Sequence, residues 1–375
     1  MVPPVPPSAP TPVPFVDLHL TDDLDDVRQA IERVVASGWF VLGPEVEAFE
    51  AEFAAASGAP YAVGVANGTD AISLLLRAAD IGPGDEVLVP GLTAAFTALA
   101  VTMTGATPVF VDVDAERLTM DPARAAEAVT SRTRAIVPVH LYGRVADMTP
   151  LQSVAERHGL VLIEDCCQAH LARYEGQPVG TTGLGGAFSF YPTKNLGALG
   201  DGGAIVTASR TVADRIRRLR NGGQAVRNTH EEAGINSRLD ELQAAILRAR
   251  LPRLEEWTAR RRALAAVYRT HLPAGVLGGA RERAGDVHHL FPIRVPRRHV
   301  VQAHLAAQDI QTLVHYPVAM PDQPAFRSAR GSCPVARRAA GDVLSLPLHP
   351  YLSDAVAMRV CSVVAGAVAV AGEPT

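Results

Sequence analysis

Between Asp22 and Ala36 the apolar residues fall at Leu24, Val27, Ile31, Val34 and Val35, a helical spacing with an acidic first turn. A second helix is expected after Pro44, with Val46, Phe49 and Phe53 on one face. The apolar loop Gly38-Trp39-Phe40-Val41-Leu42-Gly43 joins them, and it reads either as a buried connection or as the wall of a pocket. From Tyr61 onward short apolar runs alternate with helical stretches. Strands are expected at 61–66, 86–90, 108–113, 135–139 and 160–163, and helices at 70–79, 97–103, 122–129 and 151–158. This rhythm implies a mostly parallel sheet covered on both faces, with ligands at the carboxyl ends of its strands.

A basic helix at 212–220 and a loop at 221–234 follow, then a helical region over 239–268 that Pro252 should kink or divide. Beyond residue 270 the character changes. Strands are expected at 289–295 and 311–314 and helices at 299–307 and 334–340. The Ala/Val-rich run 360–372 is shorter than the ~20 residues of a membrane span and is read as a packed final helix. The chain therefore divides into a Pro-rich flexible tail (1–14), a large α/β domain (15–268) whose first helices are free to pack on its neighbour, and a smaller α+β domain (269–375).

Composition narrows the function classes. With 375 residues, 48% hydrophobic and 20% charged, the chain is globular and large enough for a substantial core. A net charge of −4 and a pI near 6.3 give no electrostatic argument for nucleic acid or an anionic membrane. Four cysteines are too few for a disulfide scaffold, which points to a reducing, cytoplasmic setting. The first residues lack the basic and apolar regions of a signal peptide.

Three pieces of candidate chemistry then come in chain order. Asn67-Gly68-Thr69-Asp70 stands between an expected strand and helix, where free amides, a glycine and a hydroxyl can cradle phosphate, although an ordinary N-cap would read alike. Asp165 ends the run Leu160-Val161-Leu162-Ile163-Glu164, where a carboxylate can hold a protonated pyridine nitrogen; alone it could equally be a strand-end acid. Gln168 is within reach of a neighbouring ring substituent. Ser189 and Lys194 share one segment stiffened by Pro192, and a lysine amine can attack an aldehyde, which arginine cannot. Together the three outweigh the blander readings. Cys166, Cys167 and His170 lack a second pair at zinc spacing, so no metal is expected. Asp112-Val113-Asp114 is weak evidence for a glycosyltransferase metal pair, and the glycine runs 183–186 and 197–203 match neither a dinucleotide fingerprint nor a Walker loop.

Over about residues 14–365 the chain resembles the DegT/StrS-type sugar aminotransferases, pyridoxal 5'-phosphate (PLP) enzymes of the aspartate-aminotransferase fold, fold type I. The resemblance is carried by Gly38–Val46, Asn67–Ala71, Glu164–His170, Ser189–Gly197, Gly234–Ala245 and Val314–Pro317. It implies a large α/β domain with a mixed, mostly parallel central sheet and a smaller α+β C-terminal domain. It also implies that Lys194 bonds PLP as an imine and shuttles the proton, that Asp165 holds the pyridine nitrogen and that Gln168 lies near the ring hydroxyl. Gly68, Thr69 and Ser189 would bind the phosphate. Asn236 would complete that site from the partner subunit of a homodimer with shared active sites. Lysine at 194 departs from the dehydratase relatives, which carry histidine there.

Ala94 stands where an aromatic ring stacks on the cofactor in many members, so either Phe96 substitutes or the cofactor ring is sandwiched less tightly. Leu171 replaces a usual glycine, and Ala319-Met320-Pro321 lacks a histidine that often follows the His-Tyr-Pro run. Trp39, Tyr316, His289 and Arg238 are the candidate substrate residues, with Arg227 a further candidate for substrate phosphates. The implied activity is amination of an oxo group on a nucleotide-linked deoxyhexose, at carbon 3 or 4, from glutamate or glutamine, for antibiotic or surface-glycan amino sugars. Gly91-Leu92-Thr93 keeps a cyclitol ketone as an alternative. A regulator that keeps the fold would carry a DNA-binding module, for which the first 20 residues offer no room.

Overall fold

The computed structural model describes residues 11–19, 22–278 and 282–372. Seven strands form the central sheet: β1 (Tyr61–Val65), β2 (Glu86–Pro90), β3 (Thr107–Val111), β4 (Thr133–Ile136), β5 (Val161–Asp165), β6 (Gly185–Ser189) and β7 (Gly203–Thr207). Their order is β1-β7-β6-β5-β4-β2-β3. Strand β7 runs antiparallel to both its neighbours, and the other pairs are parallel. Alternate side chains of each strand enter different cores: Val87, Val89, Phe110 and Ile163 on one face, Leu88, Val109, Ile136 and Leu162 on the other.

Helices cover both faces and the two ends: α1 (Leu24–Ser37), α2 (Pro44–Ala56), α3 (Gly68–Ala78), α4 (Ala95–Thr102), α5 (Pro122–Ala128), α6 (Met148–His158) and α7 (Arg210–Leu219). Then α8 (Glu241–Arg250) and α9 (Leu254–His271) are separated by the single 3-10 turn Leu251–Arg253, as Pro252 predicts. Strands β8 (Phe291–Arg294) and β9 (Val343–Leu346) pair antiparallel, and α10 (Arg298–Ala306), α11 (Pro334–Asp342) and α12 (Asp354–Gly372) complete the chain.

Several expectations need correcting. Residues 311–314 do not form a strand; Leu313 makes only an isolated bridge to Ser345, and β9 is the partner of β8. Strands β6 and β7 lie in glycine-rich sequence that periodicity does not mark. Their glycines answer to close approach: a Cβ on Gly185 would sit 2.4 Å from Val206 O, and one on Gly203 2.4 Å from Asn67 C. The loop 221–234 contains a short hairpin, Gln224–Val226 with Thr229–His230. Residues 1–10 of the expected tail lie outside the described residues, but Val13 is buried and bridged to Ile310, so the tail is docked by then.

The final helix starts at Asp354 and, by length and composition, could reach across a bilayer. One stripe of it, Ala357, Val360, Cys361, Val364, Ala367 and Ala371, instead packs in the second core with Leu264 and Tyr268 of α9. The expected boundary at 268–269 thus falls inside α9. Conversely, Ala336, Ala339 and Ala340 of α11 join the core of the large sheet. All four cysteines are free.

One buried carboxylate ties the first helices to the rest. Glu241, 1% exposed at the start of α8, accepts the N–H groups of Gly43 (2.8 Å), Glu45 (2.8 Å) and Val46 (2.9 Å). These are amides of the first turn of α2, which have no intrahelical acceptor. Glu241→Ala should therefore destabilise the protein by about 3 kcal/mol, with Glu241→Gln intermediate because one acceptor oxygen remains. Denaturant unfolding of the three proteins tests this; equal midpoints would refute it.

Candidate active site

The site is assembled at the carboxyl edge of the sheet. Where β1 turns into α3, Asn67 Oδ1 accepts the Asp70 N–H at 2.8 Å, and the first intrahelical bond runs from Ala71 N to Asn67 O at 3.1 Å. The structure shows the N-cap reading of this turn and leaves room for the other. Asn67 is an N-cap, and the amides of Gly68 and Thr69 precede the first helical bond, which leaves them suited to an anion. A Cβ on Gly68 would lie 2.6 Å from Cys167 Sγ and 2.8 Å from Ser189 Cβ. Only glycine allows the start of α3 to sit against the end of β6.

Asp165, at the end of β5, is 5% exposed. Its Oδ2 accepts the Thr97 hydroxyl at 2.8 Å and its Oδ1 the Cys167 N–H at 3.1 Å. Thr97 is in turn 3.2 Å from Thr93 Oγ1. Neutral donors thus orient the carboxylate, and no ion pair among the described residues uses it. A buried carboxylate of this kind can hold a cationic ring nitrogen. Gln168 Oε1 accepts the Tyr142 N–H at 2.6 Å, while its Nε2 donates to the Tyr316 hydroxyl at 3.0 Å. Tyr142 has a left-handed backbone (φ 63°), and its hydroxyl donates to His315 O.

Lys194 lies in the loop between β6 and β7, where its N–H bonds Tyr191 O at 2.8 Å. The buried side chains of Phe190, Leu196 and Ala198 anchor that loop. Asn195 holds it from outside: Nδ2 donates to Val287 O at 3.3 Å, and Oδ1 is 3.2 Å from His289 Nδ1. Burial pulls the Lys194 amine below its ordinary pKa, partly offset by Cys167 and Asp165. A lysine so placed is easier to deprotonate, as a nucleophilic amine requires. Burial, and next the charge of Lys194, also keeps three imidazoles neutral: His170 is pulled down to about 3, His315 to about 4, and His289 well below its usual value.

Over residues 22–365 the chain matches the model of the DegT/DnrJ/EryC1/StrS aminotransferase family. The chain belongs to that family. Among its relatives, the dTDP-3-amino-3,4,6-trideoxy-alpha-D-glucose transaminase of Streptomyces venezuelae is 50% identical over 94% of this chain and 95% of that protein. The erythromycin biosynthesis sensory transduction protein EryC1 of Saccharopolyspora erythraea is 48% identical over 93% and 97%. The crystal structure of S. venezuelae DesV in complex with a ketimine intermediate superimposes with a TM-score of 0.93 at 46% identity, covering 98% of this chain and 100% of that one. The fold is thus that of the family's PLP-dependent aminotransferases, with a mostly parallel central sheet.

Within this family chain, the structure brings together Gly68, Ser189, Asp165, Gln168, Lys194, Tyr316 and His289. Other candidates are exposed or bonded elsewhere. Phe96 shows 63% of its surface and shares an exposed stripe with Leu99 and Met103, whereas Thr97, turned about 100° from it on α4, faces Asp165. Asn236 is exposed, and its neighbour Ser237 accepts the Ala66 N–H at 3.1 Å. Arg238 bonds Asn221 Oδ1 at 3.1 Å, and Arg227 is exposed. Trp39 is also exposed and lines a different surface cleft of about 760 Å³ with Arg217 and Arg220. That cleft contains none of the residues around Lys194.

Asp112 is a helix cap: its carboxylate accepts the N–H groups of Val335 and Ala336, each at 2.9 Å. His140, Glu164 and Cys166 cluster closely enough for a metal. However, His140 Nε2 is 3.0 Å from Glu164 Oε2, His140 Nδ1 accepts the Ala146 N–H, and Glu164 Oε1 accepts the Thr182 N–H. Both side chains are committed to the protein. Sequence reasoning missed Thr97 and Tyr142; the i, i+4 pair Thr93 and Thr97 at the start of α4 was the available signal for the first.

The neutral imidazoles have a consequence for stability. An unfolded histidine takes up a proton below about pH 6.5, whereas folded His315 and His349 resist protonation until about 4. The unfolded chain therefore binds more protons in that window, and stability falls as pH drops through it. The expected loss at pH 5 is of order 1 kcal/mol per ring. Thermal melts at pH 7, 6 and 5 measure it, and a flat or rising midpoint toward acid would count against buried neutral histidines.

Proposed function

We propose that this protein is a PLP-dependent aminotransferase that converts the 3-oxo group of a nucleotide-linked deoxyhexose to an amine, with glutamate or glutamine as donor. The observation that carries this reading is the juxtaposition of a buried carboxylate that forms no ion pair among the described residues, Asp165, and a half-buried lysine, Lys194, whose amine feels its charge, beside the amide-rich start of α3. These residues fit the three functional groups of PLP: a pyridine nitrogen for Asp165, an aldehyde for Lys194, and a phosphate for Gly68, Thr69 and Ser189. When bound, PLP supplies an electron sink and a carbon that carries the amino group between the two substrates.

The chain's own residues supply the rest. Asp165, fixed by Thr97 and the Cys167 amide, would hold the ring nitrogen in its protonated form. Gln168, held between Tyr142 and Tyr316, would face the ring hydroxyl. Lys194 Nζ takes and returns the proton that must move at the reacting carbon, for which a depressed amine pKa is suited. The names of the relatives support a nucleotide sugar and position 3: they include transaminases of dTDP-linked 3-amino sugars from Streptomyces venezuelae and Aneurinibacillus thermoaerophilus. That support also ranks a cyclitol ketone below the nucleotide sugar. The names of two relatives, the sensory transduction protein EryC1 and the pleiotropic regulatory protein of Geobacillus stearothermophilus, speak for a regulator, and an intact Asp165 and Lys194 weigh against it.

The working unit of this reading is a homodimer. Phe96 and Leu99 of α4 and Met103 at its C-cap form an exposed apolar stripe at i, i+3, i+7, and Tyr191 and Leu199 are exposed on the Lys194 loop itself. Such surface near a functional site suits a second copy of the chain. Asn236, exposed on its loop, would reach the partner's phosphate site.

Purified protein should show the visible absorbance of lysine-bound PLP. It should also transfer an amine from glutamate to a nucleotide-linked 3-oxo-deoxyhexose in preference to an inosose assayed beside it. Lys194→Ala should abolish that absorbance and slow transfer by roughly a thousandfold; transfer that survives the change sinks the proposal. Asn236→Asp, which sets a carboxylate against the phosphate, should weaken PLP retention at least about tenfold while light scattering still reports a dimer. Unchanged retention would remove Asn236 from the site.

A further inference from the structure

Arg261, on α9, is buried, and its hydrogen bonds go to backbone carbonyls alone: Nη1 donates to Leu348 O at 2.8 Å and to His289 O at 3.3 Å. No carboxylate pairs with it among the described residues, and its Nε is buried without a partner. A buried guanidinium that lacks an anion is costly, and burial lowers its pKa to about 10. Next to Leu348, His349 is 4% exposed, and neither of its ring nitrogens has a partner. Buried polar groups are almost always satisfied, so two such residues side by side ask for a ligand.

Both residues line one narrow cleft with Lys194, Thr193, Trp257 and Asp17. Its other charged groups are already engaged. Asp17 accepts from His19, with Oδ1 2.7 Å from the ring Nδ1. Arg250 bonds Gly197 O and pairs with Asp23 at 2.8 Å. The cleft offers about 40 Å³, more than one water requires but far less than a sugar ring or nucleotide needs. A guanidinium N–H and an imidazole N–H at such a site are best satisfied by a small anion with two acceptor oxygens.

We propose that Arg261 and His349 bind a carboxylate of the amino-acid donor and so deliver its amino group toward Lys194. The assignment rests on the aminotransferase reading above. It separates the two substrates physically: the donor is recognised through a carboxylate in the narrow cleft, and the sugar nucleotide enters elsewhere.

The test uses the purified holoenzyme. His349→Phe keeps the ring's bulk without its nitrogens, and Arg261→Lys keeps the charge without the fork. Each should raise the KM for the amino donor at least about tenfold, and by clearly more than the KM for the amino sugar in the reverse half-reaction. Glutarate, a dicarboxylate without an amine, should bind the wild-type enzyme in calorimetry and lose at least about tenfold in affinity in His349→Phe. Should Arg261→Lys fail to fold, His349→Phe and His349→Gln carry the test. Equal effects on donor and sugar, or glutarate affinity untouched by His349→Phe, overturn the proposal, as does a crystal structure in which water alone satisfies Arg261 and His349 with glutarate present. A wild-type protein that binds glutarate in a His349-dependent way but transfers no amine would uphold the anion site and refute the function.

Discussion

Setting a half-buried amine beside a buried carboxylate at one edge of a sheet imposes conditions on everything near them. A carboxylate so buried must be hydrogen-bonded, and Asp165 is, by the Thr97 hydroxyl and the Cys167 amide. An enclosed ammonium is disfavoured, and the neighbouring imidazoles avoid adding to its charge by staying neutral. Each of those rings is held by a neutral group: His170 by Ser189 O, His289 by Asn195 Oδ1, His315 by Ser345 Oγ. The polar residues around Lys194 therefore orient one another without cancelling its reactivity.

This arrangement needs chain segments far apart in sequence to meet at short range. The turn after β4, the segment after β5 and residues 287–290 converge at Gly143, where a Cβ would lie 2.7 Å from His289 N and 3.1 Å from Gln168 O. Backbone bonds join the same pieces, from Val287 N to Gly143 O at 2.9 Å and from Leu290 N to Tyr142 O at 3.3 Å. The positive φ of Tyr142 is part of that junction and aims its hydroxyl at His315 O. The N-terminal segment closes the far side, with Phe15 stacked on His315 at 5.6 Å and its N–H bonded to Gln311. Residues 287–290 and 315–316 of the C-terminal third thus stand beside Tyr142 and Gln168.

An aminotransferase must accept two unlike substrates at one lysine. The space around Lys194 is graded for such a task, with a cleft on one side that suits a single small anion and an exposed apolar surface near α4 and Tyr191. The proposed division of labour follows from size and charge. A second copy of the chain against the exposed side would complete the wall available to the larger substrate.

Much of the central sheet was legible in the sequence because apolar periodicity is a local property. Strands β1 to β5, the helices between them and the break at Pro252 all follow from spacing and turn residues. So do the separate pieces Gly68-Thr69, Asp165, Ser189 and Lys194, whose residue types are dictated by chemistry. Strands β6 and β7 were hidden, since their glycines are required by backbone contacts with Val206 and Asn67 that no local pattern records. The exchange of 311–314 for β9 has the same origin, because a four-residue run becomes a strand only where β8 offers free donors and acceptors. Thr97, Tyr142, Arg261 and His349 are ordinary residues in the sequence. What they touch is set by contacts across 68 to 173 positions in the first two cases and, in the others, by a cleft whose walls come from both ends of the chain. Residue type and local spacing determined which chemistry this protein can hold, and long-range packing alone decided which groups were left buried, neutral or unpaired around it.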